Sequence, residues 1–293
     1  MWVLVFALSV ARGETLTVAS YNLENYGLAD RLTPDGYRKE YPKPEEQKRA
    51  LRRVIAGMNA DILAVQEIGG DAYLAELQRD LRRDGLDYPH VALVAGPDPA
   101  RHVALLSRRP IASVVAHAEV KFPYFGRTEL VKRGVLEAHF ETSAGDLAIF
   151  VVHLKSRFTD RADDPRSEQR RLGEATAVRD VIWRRSGPPA QARFLVLGDF
   201  NDDRNSPPLE RFMRRGQNVF ATVLPVADSR GETWTHAYRK QDTYSRVDHL
   251  CVSPGLKPFV DHGRGRIYDG PGVRQASDHR PVLLTLQFGP VGK

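Results

Sequence analysis

Eight polar residues in this sequence have the types and positions for one kind of chemistry. Asn22, Glu67, His153 and Asp199 each stand at the carboxyl end of a short apolar run, and Asn201, Asp248, Asp278 and His279 flank others. Carboxylates and carboxamides are hard oxygen donors, and here they accompany imidazoles with no thiolate nearby. That set suits Mg²⁺ or Mn²⁺ rather than structural zinc. The strongest local signal is Gly198-Asp199-Phe200-Asn201, followed closely by Asp203 and Asn205. Taken alone it reads equally well as a tight turn closed by Asp and Asn side chains. Ser277-Asp278-His279-Arg280-Pro281, taken alone, is a loop entering an edge strand. Ser20 and Ser277 lack a Gly-x-Ser-x-Gly elbow or a Ser-His-Asp order, so nothing supports a serine hydrolase.

The elements that must position these residues form two similar units. Leu16 to Tyr21 is strand-like and ends at Asn22. A long polar loop follows, then a helix with Ala50, Leu51, Val54, Ile55 and Met58 on one face, then a strand from Asp61 to Gln66 ending at Glu67. The second unit runs from the strand Leu147 to Val152, ending at His153, through a helix over about 167–185, to the strand Arg193 to Gly198, ending at Asp199. A strand-helix-strand crossover makes its two strands parallel, so each unit places its polar pair at one sheet edge. Two sheets packed face to face would unite the pairs. Further strands are expected near Val91 to Ala95, Val103 to Ser107, Ile111 to His117, Val135 to Phe140, Thr233 to Thr235, Arg246 to Val252 and Val282 to Phe288.

Six segments in order carry a family resemblance: Ser20-Tyr21-Asn22-Leu23-Glu24, Val65-Gln66-Glu67, Val152-His153-Leu154-Lys155, Gly198-Asp199-Phe200-Asn201, Arg246-Val247-Asp248-His249 and Ser277-Asp278-His279-Arg280-Pro281. The pattern resembles the endonuclease/exonuclease/phosphatase superfamily, the DNase I-like fold. The resemblance implies an α/β four-layer sandwich, two mixed β-sheets packed face to face and flanked by helices. It also implies a divalent-metal-dependent hydrolase of phosphate esters. By that resemblance Glu67 is the principal metal ligand, with Asn22, Glu24 and Asp278 as direct or water-mediated partners. Mg²⁺ is the expected ion, with Mn²⁺ and Ca²⁺ as alternatives. Asp199 would position or deprotonate the attacking water, and Asn201 would orient it. His279 would contact the phosphate with Asp248 fixing its tautomer, and His153 would donate to a phosphate oxygen. Asp199 and His279 both remain eligible as the base.

The bulk composition sets outer bounds. At 293 residues and 42% hydrophobic, the chain can bury a large core without disulfide or structural metal. A net charge of +6 favours polyanionic partners. Trp2 to Val10 is an apolar run of signal-peptide length, with Ala11 and Gly13 placed for cleavage before Glu14. Residues 1–13 are therefore expected to be a leader, 14–293 one catalytic domain, and the product a secreted or periplasmic monomer with no stable membrane insertion. Cys251 is expected to be buried and inert. Among substrates, loops 25–44 and 121–133, mixing aromatics with Lys and Arg, favour nucleic acid. A sphingomyelinase-like lipid phosphodiesterase, or a phosphatase of inositol-phosphate type, is the alternative. A non-catalytic binding protein on the same fold is the remote one.

Overall fold

Runs that are apolar at nearly every residue become strands covered on both faces. The computed structural model describes residues 13–159 and 161–289, so the leader reading lies almost wholly outside the described residues. The chain opens with β1 (Glu14–Tyr26), a hairpin β2 (Leu28–Thr33) and β3 (Gly36–Pro42), then α1 (Glu45–Met58), β4 (Ile62–Ile68) and α2 (Asp71–Arg83). It continues through β5 (His90–Val94), β6 (His102–Ser107), β7 (Ser113–His117), a hairpin β8 (Lys121–Tyr124) and β9 (Arg127–Leu130), β10 (Val135–Thr142) and β11 (Gly145–His153). The last part holds α3 (Glu168–Ser186), β12 (Phe194–Asp199), α4 (Pro207–Met213), β13 (Arg214–Arg215), β14 (Asn218–Val219), β15 (Thr222–Val223), β16 (His236–Tyr238), β17 (Thr243–Ser245), β18 (Asp248–Val252), β19 (Arg266–Ile267), α5 (Val273–Ala276) and β20 (Val282–Phe288).

Two mixed six-stranded sheets carry the architecture, in the orders β19-β20-β1-β4-β6-β5 and β15-β18-β12-β11-β10-β7. The parallel pairs are β1 with β4 and β11 with β12. Each is the pair joined by a helical crossover, α1 in the first unit and α3 in the second. The core between the sheets interleaves Leu16, Val18 and Ala64 of the first with Ile149, Val151, Leu195 and Leu197 of the second. The outer face of the first sheet packs on α1 and α2, and that of the second on α3 and α4. Four layers result.

Local sequence explains the crossover helices. In α1, Ala50, Leu51, Val54, Ile55 and Met58 are buried, Glu45 and Glu46 sit where the helix dipole favours anions, and Asn59 ends the helix in a left-handed conformation. In α3 the buried Glu174 carboxylate accepts the backbone N–H of Lys132 at 3.2 Å and of Lys155 at 2.7 Å. That ties the chain leaving β9 and the chain leaving β11 to one helix.

Several expectations need correction. The stretch 25–44 is not a long loop: most of it is the β2–β3 hairpin, and 121–133 likewise contains the β8–β9 hairpin. Thr233 to Thr235 is irregular, and the nearby pairing joins His236–Tyr238 to Thr243–Ser245. Thr235 instead turns its hydroxyl onto the backbone N–H groups of Val247 and Asp248, both at 3.1 Å, which a strand ladder would not leave free. The helix α2, with Leu74, Leu77 and Leu81 inward, was not foreseen. Cys251 is buried, and burial raises its thiol pKa far above the usual range.

Candidate active site

The carboxyl ends of the two parallel pairs meet. In the first sheet Asn22 is in register with Gln66, and a bulge follows in which Glu67 takes φ 63°. Glu24 (φ 50°) and Asn25 (φ 54°) are also left-handed, a conformation that costs non-glycine residues energy and concentrates at functional sites. The Asn25 N–H donates to Glu67 Oε2 at 2.9 Å. In the second sheet His153 is in register with Asp199. The amide of Asn22 then donates across the sandwich to Asp199 Oδ2 at 3.0 Å. Gly198, at φ 142°, lets β12 pass β11 here: a Cβ would stand 1.9 Å from the Val152 carbonyl oxygen.

Asp199 is the hub. Its carboxylate accepts from Asn22, from the Asn201 N–H at 2.7 Å and from Asn201 Nδ2 at 3.3 Å, with His153 Nε2 at 3.6 Å and His279 Nε2 at 3.8 Å. Burial pushes its pKa up to about 7, against the pull of His279 and reinforced by Asp248. His279 Nδ1 faces Asp248 Oδ2 at 2.8 Å, and the Ser277 hydroxyl, itself donating to Asn22 O at 2.9 Å, receives the His279 N–H. Burial disfavours charge on His279, but Asp248, Asp199 and Asp278 outweigh it and hold the imidazolium well above its ordinary pKa. His153 goes the other way: burial first, then Arg133, His279 and Arg101, push it well below. One ring is therefore poised charged and the other neutral.

The acidic end comprises Glu67, Glu24, Asp278 and the Oδ1 of Asn22. Glu67 is 16% exposed, and its Oε1 lies 3.9 Å from His153 Nε2. Asn22 Oδ1 accepts the Glu24 N–H at 3.0 Å. All the donors are oxygens, and Glu67 reaches solvent, so the residues fit an ion such as Mg²⁺ that keeps several waters. Tighter groupings of ligand atoms exist at Asp199, Asp248 and His279 and at His236, Asp278 and His279. The first of these is spanned by the His279–Asp248 hydrogen bond, which suits a proton-handling group better than an ion cage.

All nine residues singled out in the sequence thus lie at one address, but others there were missed. His236, read as structural, stacks on His279 at 4.6 Å between centroids and puts Nε2 3.6 Å from Asp278 Oδ2. Arg133 is 6% exposed, pairs with Asp98 at 3.2 Å, and leaves Nε and Nη1 without a partner among the described residues. With Arg101 and Lys155 it crowds positive charge around His153, and Lys155 is lowered to about 8 by burial and then by Arg133. Lys43 reaches Glu24. No periodicity marks these residues; only the folded packing brings them to the site.

Residues 19–279 match the model of the Endonuclease/Exonuclease/phosphatase family, and the chain belongs to that family. Its members are metal-dependent hydrolases of phosphate esters, and this chain is an enzyme of that class. No curated protein matches it. Among solved structures, an endonuclease/exonuclease/phosphatase family protein from Bacteroides thetaiotaomicron is similar at 20% identity and TM-score 0.63, covering 96% of this chain and 98% of that one. Sphingomyelinase C from Streptomyces griseocarneus is similar at 15% identity and TM-score 0.64 (93% and 99% covered). A beta toxin variant from Staphylococcus aureus with bound magnesium ions is similar at 16% identity and TM-score 0.66 (92% and 99% covered). These similarities establish the DNase I-like fold.

Proposed function

We propose that this enzyme is an exported nuclease cleaving nucleic-acid phosphodiesters. What supports the reading is the β2–β3 hairpin, with its exposed Tyr37 and Tyr41 and its Arg31, together with the cations that follow β9 and β11, beside the site. Arg31 of β2 lies close enough to feel Glu24 and Glu67, while Arg133, just after β9, and Lys155, just after β11, act on His153. A rim of this kind supports a polyanionic chain with stackable bases. The export part of the proposal rests on the apolar leader.

In this reading Asp199 aligns the attacking water and accepts its proton, a role suited to a carboxylate raised to about 7. Asn201, bonded to Asp199 and to Leu154 O at 2.9 Å, fixes the water's approach. His279, kept protonated by Asp248, donates to a phosphate oxygen, and the neutral His153 offers a second donor. Mg²⁺, held by Glu67 with Asn22 alongside, would supply charge neutralisation of the phosphoryl oxygens. No covalent nucleophile is required.

A second reading, a lipid phosphodiesterase, is favoured by Leu32 at 85% and Phe158 at 80% exposure on rim segments. Incubating the purified protein with plasmid DNA, RNA and sphingomyelin vesicles in Mg²⁺ separates the two. Turnover of DNA or RNA is expected; turnover of sphingomyelin alone overturns the nuclease reading.

A further inference from the structure

Half of the acidic end already holds a cation. Lys43, in the connection from β3 to α1, has a side chain that is 0% exposed, and its Nζ donates to the Glu24 carbonyl oxygen at 3.1 Å and stands 3.5 Å from Glu24 Oε2. An ammonium taken wholly out of water persists only where an anion compensates it. The compensation here is Glu24 together with Asp278, which lies near enough to stabilise the same charge. Other cations crowd the corner. His236 Nε2 is 3.6 Å from Asp278 Oδ2, Arg239 acts on Glu24, and Arg31 presses on Lys43 from β2.

Glu67 is different. Among the described residues no Lys or Arg forms an ion pair with it, its nearest ring is the His153 imidazole, and its Oε2 is met only by a backbone N–H.

We propose that Lys43 is an internal counter-ion that closes the Glu24–Asp278 corner to a divalent cation, so that the acidic end takes one ion, on Glu67, rather than two. This rests on the metal-dependent reading of the same site. A divalent ion brought to Glu24 would face the enclosed Lys43 ammonium, which already stands 3.5 Å from Glu24 Oε2. A divalent ion at Glu67 meets a carboxylate that, among the described residues, forms no ion pair with a Lys or Arg. Lys43 is on this account a positioning residue: it sets the charge and holds Glu24 without touching the substrate.

Counting bound Mn²⁺ tests the assignment without reference to turnover. The full chain is titrated with Mn²⁺, free ion being followed by electron paramagnetic resonance, and circular dichroism confirms that each variant is folded. The wild type is expected to bind one equivalent tightly, and Lys43→Met to gain a second. Because Lys43→Met removes the cation beside Glu24 and its folding can fail, Glu24→Gln and Glu67→Gln form an independent pair. Glu24→Gln is expected to keep the single ion within about threefold of wild-type affinity, and Glu67→Gln to weaken it by about tenfold or more. Two tight equivalents on the wild type, or loss of the ion in Glu24→Gln as severe as in Glu67→Gln, overturn the Lys43 assignment and leave metal-dependent hydrolysis standing. Absence of any bound ion overturns the metal-dependent reading, and the Lys43 assignment falls with it.

Discussion

Replacing Asp248 by Asn probes the proton-handling half of the site with almost no change of shape. Asp248 Oδ2 is 2.8 Å from His279 Nδ1, and both side chains are buried. Its backbone N–H is held separately by Thr235 Oγ1 at 3.1 Å, so the residue stays in place when its charge is removed. The carboxylate does two things: it accepts from Nδ1, which fixes the tautomer, and it stabilises the imidazolium. A hydrogen bond to a charged group contributes roughly 1.5–3 kcal/mol. At about 1.36 kcal/mol per factor of ten, its loss lowers kcat by roughly 10- to 150-fold. KM is expected to change little, because Asp248 makes no contact with substrate. The assay is steady-state hydrolysis of bis(p-nitrophenyl) phosphate across the neutral range, with circular dichroism to confirm the fold. A kcat within about threefold of wild type, or an effect confined to KM, would refute the argument that His279 works as an Asp248-supported imidazolium.

Three further outcomes are expected. Arg133→Lys, which keeps the charge but loses the guanidinium atoms left unpaired beside His153, is expected to lower kcat/KM by about tenfold, a loss of one charge-assisted contact; unchanged kinetics would count against a phosphate-contacting role. Gly198→Ala is expected to destabilise by more than about 3 kcal/mol in urea melts, since its Cβ would sit 1.9 Å from a backbone oxygen that cannot yield; a normal midpoint would contradict the β11–β12 geometry. The third concerns Glu137, where burial raises the pKa but His117, His139 and Arg185 together hold it far below the carboxylate range, while Glu137 and then Asp146 raise His139. The Glu137 contribution is present above its unfolded pKa of about 4.3 and fades as pH falls through the folded value. The His139 contribution is complete below about 6.5 and is lost as pH rises through its raised value. The melting-temperature gap between wild type and Glu137→Gln should therefore be widest from about pH 4.3 to 6.5 and narrow above it; a gap that does not vary with pH would rule the cluster out.

The parts of the fold that were legible in the sequence are those set by buried strands. Leu147 to Val152 and Phe194 to Gly198 are apolar throughout, and a polar residue at the end of each had to emerge at a sheet edge. The β2–β3 hairpin was not legible, because Leu28, Leu32, Tyr37 and Tyr41 point into solvent and its alternation carries no burial signal. α2 was missed although its leucines recur at helical spacing. In the site, residues placed by strand ends were readable and those placed by packing were not. Lys43 and Arg133 sit among many exposed Lys and Arg in sequence, and nothing local tells which cation is enclosed. His236 reaches the site through the isolated bridge to His279, a contact between segments 43 residues apart in number that no local pattern encodes.

In the proposed reaction an acidic end built on Glu67 and a hub at Asp199 hydrolyse a phosphodiester together. The most direct test is bis(p-nitrophenyl) phosphate turnover by wild type and Asp199→Ala, each with Mg²⁺ and with excess chelator. The wild type should turn over in Mg²⁺ and stop in chelator, and Asp199→Ala in Mg²⁺ should lose about 10²- to 10⁴-fold. Turnover that persists in chelator, or an Asp199→Ala protein of wild-type activity, would contradict the account.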